Sequence, residues 1–327
     1  MLKVGLIGAG FMGAMHANCY KNIEGVKLSA IADIREEKAK ALAEGTDAEI
    51  YGDGKDLIAS ADVDIIDICL PTFIHAEYAC LAMDKVKYVF VEKPVALTEA
   101  EIDMLLEKQK ETGANVQVGQ VIRFWDEYVY LKEVIESGKY GKVNNANFRR
   151  ISPSPAWGWN DWLRKAELSG GAAQDLHIHD IDFALSLFGE PEEVSSVRNS
   201  HGETNSYINT LMKYKDFPVT VEGTWNLPSS YPFSASFRVM FEKACIENSG
   251  AGFILYTDEG AEKIVIEKEN LTSTVSGGNI SDLGGYYKEL LYFTNCAKDG
   301  ASVEKATLSD AAASLKFLLT KEFPSAL

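Results

Sequence analysis

Residues 4–20, VGLIGAGFMGAMHANCY, decide how this chain is read. An apolar run enters Gly8-x-Gly10-x-x-Gly13 and leaves as a helix, the strand–turn–helix form of a dinucleotide-binding segment. Gly8 permits the tight turn, Gly10 lets the backbone approach a pyrophosphate, and Gly13 lets helix and strand pack closely. Free N–H groups at the helix start then face the phosphates, and Phe11 and Met12 belong to the same contact set. A second apolar run, Val26–Ala32, ends at Asp33, where a carboxylate can hold the adenosine ribose 2′-hydroxyl. Arg35 can stack on adenine or pair with a 2′-phosphate, so the expected cofactor is NAD, with NADP left open. The plainer alternative is a glycine-rich turn in an ordinary α/β unit; strand, spacing and acid together favour the dinucleotide.

The rhythm around this segment extends the reading. Short apolar runs at residues 4–7, 28–31, 65–69, 88–91 and 116–118 alternate with helical spacing of Ala, Leu and charge, which predicts a parallel sheet with helices on both faces. Thr98 and Glu101 form a capping-box pattern, and Gly113 marks the stop of that helix. Beyond residue 120 the pattern changes. Helices are predicted at 125–137, 175–188, 286–298 and 308–321, while residues 194–269 alternate with period two, as in an open and mainly antiparallel sheet. The expected organisation is a Rossmann domain over residues 1–119 and an α+β substrate-binding and oligomerisation domain over 120–327, with the C-terminal helices able to pack back on the first.

Composition sets outer limits. The chain has 327 residues, 46% of them hydrophobic, enough for a substantial core, and a formal charge of −16 that disfavours nucleic acid and anionic membrane surfaces. Five scattered cysteines lack C-x-x-C spacing and read as buried thiols in a reducing cytoplasm. The first strand begins within four residues of Met1, leaving no space for a signal peptide, and no run approaches the ~18 apolar residues of a membrane span. A cytoplasmic location is expected.

Several polar residues fall where ligands gather in an open parallel sheet, outside the carboxyl ends of strands. One strand runs into Leu70-Pro71-Thr72-Phe73-Ile74-His75, and the next ends at Glu92-Lys93-Pro94. Leu70, Pro71, Thr72, His75, Glu92 and Lys93 are therefore candidate cofactor contacts. The alternatives are a simple helix start for Pro71 and Thr72 and a surface ion pair for Glu92 and Lys93. Further on, GGAAQDLHIHD at residues 170–180 places Asp175 and His179 four apart on one predicted helix face. His177 lies about 200° around that helix from His179, so a His-x-His metal site is disfavoured and no metal is expected. Arg123 is a candidate substrate contact or ion-pair partner. Trp157, Trp159 and Trp162 form a loop suited either to closing over a sugar or to packing on its own surroundings, and Trp162 is the substrate-contact candidate among them.

Taken in order, Gly8 to Gly13 with His16, Pro71-Thr72-x-x-His75, Glu92-Lys93-Pro94, VGQVIRF at 118–124 and the 170–180 segment resemble the Gfo/Idh/MocA family over nearly the whole chain. The family is named after glucose-fructose oxidoreductase and inositol dehydrogenase. The resemblance implies a nicotinamide-dependent oxidoreductase acting on a sugar, polyol or related hydroxy compound, and a homodimer or homotetramer. It carries Lys93, Asp175 and His179 into the catalytic positions. Alcohol oxidation needs a base with a pKa near neutrality, which suits His179; Lys93 would stabilise the charge developing on the reacting oxygen, and Asp175 would orient substrate and support the imidazole. An NAD-dependent glycosidase with tightly held cofactor and a non-catalytic NAD-binding regulator are the competing functions.

Overall fold

The structure, a computed structural model, describes residues 1–201, 204–267 and 283–322. It divides into two compact units, one comprising Met1–Phe124 with Glu269–Ala312 and the other Trp125–Lys268 with Ala313–Leu327.

The first unit alternates as its apolar runs require: β1 (Leu2–Ile7), α1 (Phe11–Asn22), β2 (Val26–Ala32), α2 (Glu36–Ala43), β3 (Glu49–Tyr51), α3 (Gly54–Ser60), β4 (Ile65–Ile68), α4 (His75–Lys85), β5 (Tyr88–Val91), α5 (Glu99–Thr112) and β6 (Asn115–Val118). The six strands pair in parallel in the order β3-β2-β1-β4-β5-β6. Every residue of β4 and β5 is buried, as expected of central parallel strands covered on both faces. The order reverses between β1 and β4, and a crevice outside their carboxyl ends is the position such sheets use for ligands. At α5 the capping box forms as its sequence predicts, and Gly113 closes the helix in the left-handed region.

The second unit contains α6 (Asp126–Ser137), β7 (Val143–Pro153), α7 (Ala166–Ser169), α8 (Ile178–Phe188), β8 (Glu193–His201), β9 (Thr204–Lys213), β10 (Pro218–Leu227), β11 (Ser234–Phe241), β12 (Cys245–Ser249), β13 (Gly252–Thr257) and β14 (Gly260–Lys263). These eight strands form one open sheet, β14-β13-β12-β11-β7-β10-β9-β8. It is mainly antiparallel, as period-two alternation predicts, with one exception: β7 and β10 run parallel. A parallel neighbour needs a long crossover, and the segment between these strands, which includes α7, α8, β8 and β9, provides it. The helix predicted at 175–188 starts differently from expectation, as a π-turn at Ala173–His177 that continues into α8. The C-terminal helical pattern likewise divides into α10 (Leu308–Phe317), after α9 (Gly284–Asp299), and a π-turn at Leu318–Glu322.

The core of the second unit is aromatic. Tyr128 of α6 meets Phe183 of α8 and Phe237 of β11 edge-on, with ring centroids 4.9 and 5.1 Å apart. One full charge pair is set into this apolar layer. Arg150 of β7 grips Asp180 of α8 through Nε at 2.9 Å and Nη2 at 3.2 Å, while its guanidinium lies over the rings of Trp125 and Phe233. Both partners are essentially excluded from water. Removing one partner strands the other charge, so Arg150→Met should lower unfolding free energy by about 3–5 kcal/mol in urea titration. A loss below about 1 kcal/mol, the range of exposed pairs, would show that the pair does not anchor α8.

Candidate functional site

The residues singled out by sequence fall into two clusters, one in each unit. In the first unit the glycine turn has the geometry its spacing demands. Gly8 adopts φ +97°, and a Cβ there would lie 2.4 Å from the Cys69 carbonyl oxygen. A Cβ on Gly13 would come within 1.8 Å of the Gly8 carbonyl oxygen, so only glycine lets α1 pack against the turn. Gly10 differs: a Cβ built there meets nothing within 4 Å. Its backbone therefore borders open space at the start of α1, whose first turn carries no acidic residue and no side-chain cap. This is what an approaching pyrophosphate needs.

Asp33, at the end of β2, is tied to the same turn. Its Oδ2 accepts from the Ala9 N–H at 2.8 Å and from Arg35 Nη2 at 3.1 Å, and its Oδ1 accepts from the Arg35 N–H and Nε at 2.8 and 3.0 Å. The carboxylate is fixed beside the glycines, with the Arg35 guanidinium against it. The structure thus fits a dinucleotide in its phosphate turn and in its ribose-binding acid.

Beneath the turn lies a buried polar chain. Tyr20 of α1 donates to Asp67 Oδ2 at 2.7 Å, Asp67 Oδ2 faces His16 Nδ1 at 2.8 Å, and His16 Nε2 lies 3.1 Å from Glu92 Oε1. The other Glu92 oxygen accepts from the Lys93 backbone N–H at 3.1 Å. Burial alone would push the His16 pKa down, but the Asp67 carboxylate and the Cys69 sulfur beside it hold it well above the ordinary histidine range. The His16 ring thus lies between two carboxylates. His16, Asp67 and Cys69 also place metal-ligand atoms within 4.8 Å of one another. Hydrogen bonds among the three and from Tyr20 already engage those atoms, and burial pushes the Cys69 thiol up, away from the thiolate a metal would need.

The loops after β4 and β5 meet at a second buried histidine. His75, almost fully buried, places Nε2 2.6 Å from the Leu70 carbonyl and Nδ1 2.8 Å from the Pro94 carbonyl. Burial pushes its pKa below the usual range, against the pull of both carbonyls and of Glu92. The ring thus sits between the two loops, and its single N–H serves one of the two carbonyls. The Lys93–Pro94 bond is cis, and Lys93 itself is half-buried. Arg123 follows β6 and pairs with Asp310 at 3.2 Å.

Sequence reasoning passed over Gln120. It is 1% exposed just beyond β6, and among the described residues neither its amide oxygen nor its amide nitrogen has a hydrogen-bond partner; the buried Thr72 hydroxyl is in the same condition. Buried polar groups normally find partners, so these two are exceptions placed just beyond the carboxyl ends of β4 and β6. The only available sequence signal for Gln120 was its place immediately after a strand.

In the second unit the π-turn carries Asp175, which is half-buried, and α8 carries His179 and Asp180, which are buried. His177 turns toward the sheet: its Nε2 lies 3.1 Å from Thr210 Oγ1, and a Cβ on Gly223 would be 2.8 Å from its Nδ1. The Asp180–Arg150 pair adjoins His179 and fixes the start of α8. Trp157 and Trp159 are exposed, and Trp162 is half-buried. Asn160 and Asp161 between them adopt positive φ, which places a tight bend in that loop.

With this geometry in hand, the comparisons with known proteins are specific. The family model described as an oxidoreductase family with an NAD-binding Rossmann fold matches residues 2–120, and the Gfo/Idh/MocA C-terminal domain matches residues 128–247. The chain belongs to the Gfo/Idh/MocA family. It is similar to myo-inositol 2-dehydrogenase of Thermotoga maritima, 33% identical over 59% of this chain and 56% of that one. It is also similar to inositol 2-dehydrogenase of Salmonella paratyphi B, 36% identical over 64% of this chain and 61% of the relative. The chain thus spans somewhat over half the length of these curated relatives. A solved levoglucosan dehydrogenase in complex with NADH shares the fold, with a TM-score of 0.82 at 21% identity, covering 97% of this chain and 95% of that one. Among the described residues no helix is long and apolar enough to cross a membrane.

Two measurements check this geometry. Gly10→Ala should leave stability within about 0.5 kcal/mol, since its Cβ meets nothing, yet weaken NAD binding about tenfold or more by titration calorimetry; unchanged affinity would remove Gly10 from the phosphate site. Separately, a histidine whose folded pKa is raised contributes stability that is full below its ordinary value near 6.5 and is lost as pH rises through the folded value. Urea midpoints should therefore fall as pH rises above about 6.5, and His16→Gln should flatten that slope. An unaltered slope in the variant would show that His16 is not the group whose titration is coupled to folding.

Proposed function

We propose that the chain is an NAD-dependent dehydrogenase that oxidises a secondary hydroxyl of a cyclitol, sugar or related polyol, or reduces the corresponding ketone. The observation that carries this reading is the carboxyl edge of the first unit's sheet, where the open Gly10 backbone, Asp33 and the Glu92–Pro94 turn line successive strands. When bound, the dinucleotide supplies the hydride acceptor. Asp33, held by Ala9 and Arg35, accepts from a ribose 2′-hydroxyl and repels a 2′-phosphate, which favours NAD over NADP. The Thr72 hydroxyl and Gln120 amide offer polar contacts on the same edge.

Lys93 binds the reacting oxygen and stabilises the negative charge that develops on it. His179 takes the hydroxyl proton as the carbon-bound hydrogen departs with its electron pair and the C–O bond becomes C=O. Asp175, on the turn preceding α8, orients substrate and supports the imidazole. The histidine starts near the pKa such a base requires, and the buried Asp180–Arg150 pair gives its helix a rigid seat. The cyclitol class rests on the inositol dehydrogenases to which the chain is similar. A homo-oligomer follows from the second unit's open sheet, whose outer face presents Val197, Leu211, Met240 and Tyr256.

With an inositol panel and NAD, Lys93→Met should lower kcat by about 10²–10³-fold while the NAD dissociation constant stays within the same order. His179→Asn should lower it by about 10²–10⁴-fold. Full activity in Lys93→Met would overturn the assigned chemistry. Asp33→Ser should raise NADP affinity relative to NAD; an unchanged preference would remove Asp33 from cofactor selection.

A further inference from the structure

We propose that His16 and His75 are positioning residues for Lys93, gripping the residue on each side of it from opposite flanks of one turn. The inference rests on the reading of Lys93 as a catalytic residue and adds how its place is set. The two histidines come from different elements: His16 from α1, under the glycine turn, and His75 from the start of α4. Neither touches solvent to any useful degree. His16 Nε2 lies 3.1 Å from Glu92 Oε1, and the opposite Glu92 oxygen receives the Lys93 backbone N–H. His75 Nδ1 lies 2.8 Å from the Pro94 carbonyl. The backbone of Lys93 is thus flanked immediately before and after its Cα, by Glu92 packed 3.1 Å from the His16 ring on one side and by the Pro94 carbonyl 2.8 Å from the His75 ring on the other.

Each histidine uses its second nitrogen to reach cofactor-side structure. His16 Nδ1 is anchored by Asp67 of β4, and His75 Nε2 by the Leu70 carbonyl, which begins the loop after β4. Glycine at 119 leaves space for the arrangement, since a Cβ there would lie 3.1 Å from the Glu92 carboxyl group. Any movement of the β4 loop is therefore passed to the Lys93 turn through two rigid rings. An alcohol whose oxygen must meet Lys93 while its carbon meets the nicotinamide depends on that register, and a misplacement of about 1 Å can cost about 10²-fold in rate.

Amide substitutions separate this role from mere filling of the core. In side-chain reach, the Asn amide nitrogen stands in for a histidine Nδ1 and the Gln amide nitrogen for Nε2. His75→Asn offers an amide N–H to the Pro94 carbonyl and none to Leu70; His75→Gln does the reverse. His16→Gln keeps a polar nitrogen facing Glu92, whereas His16→Asn keeps only the one facing Asp67. The expected result is that kcat falls about 10–100-fold further in His75→Gln than in His75→Asn, and in His16→Asn than in His16→Gln, at matched melting temperatures and similar NAD affinity. A second readout needs no turnover: the rate of Lys93 acylation at one pH, mapped by mass spectrometry with Lys40 and Lys213 as internal references, should change in the same two variants and not in their counterparts. Equal kcat losses within each pair that merely follow melting temperature, with unaltered Lys93 labelling, would overturn the proposal. If the His16 variants do not fold, the His75 pair decides it. Full activity in Lys93→Met would instead remove the catalytic reading, while the labelling comparison would still test the grip on the turn.

Discussion

The buried His16 imidazole, set between the Asp67 and Glu92 carboxylates, is the contact around which the carboxyl edge of the first unit's sheet is organised. Asp67, His16 and Glu92 come from β4, α1 and the end of β5, so their contact fixes three elements around one ring. Removing charges from water costs several kcal/mol per ion, and mutual attraction offsets this only where geometry and further hydrogen bonds are good. Here Tyr20 supports Asp67 and the Lys93 backbone N–H supports Glu92. Such a triad adds little net stability over apolar packing of the same volume. What it contributes is a single permitted arrangement, since displacing any member leaves a charge buried without its counterpart.

The second unit uses the same device with different residues. Asp180 follows His179 in sequence and is clasped bidentately by Arg150, among aromatic rings and with Tyr128 hydroxyl nearby. In each unit, then, the residue read as catalytic is a chain neighbour of a buried ion pair. Lys93 follows Glu92, and His179 precedes Asp180. A partly accessible side chain that must bind a reacting atom gains from a backbone that cannot drift, and burial of the adjacent charge provides that restraint without blocking the side chain itself.

Much of this was legible in the sequence because the decisive signals are local. The glycine spacing, the acid ending β2, the capping box of α5 and the period-two runs each reflect steric or hydrogen-bonding rules that act over a few residues. What escaped reading depends on residues far apart. The edge strand β3 has three residues and no apolar run, so nothing local announced it. The parallel pairing of β7 with β10 is a matter of topology, invisible to alternation, which is the same for either direction. His75 is a cofactor-contact candidate by its place after a strand, whereas its ring lies buried between two backbone carbonyls. For Arg123 the sequence admits a substrate contact or an ion pair, and Asp310 lies against it. His16 was visible only as part of a motif, because its two carboxylate partners lie 51 and 76 positions away in sequence. Gln120 gives no local sign of being a buried amide without a hydrogen-bond partner among the described residues.

The account holds that carbon-bound hydrogen passes from the substrate to the nicotinamide at an edge organised by Lys93. The most direct measurement is isotopic: incubate the protein with NAD and an inositol deuterated at its carbinol carbons, then weigh the recovered reduced cofactor by mass spectrometry. The account predicts that the reduced nicotinamide carries one substrate deuterium per turnover, with a slowed rate relative to the unlabelled compound where chemistry limits. Deuterium released to water with no labelled cofactor, while the substrate is nonetheless consumed, would contradict it.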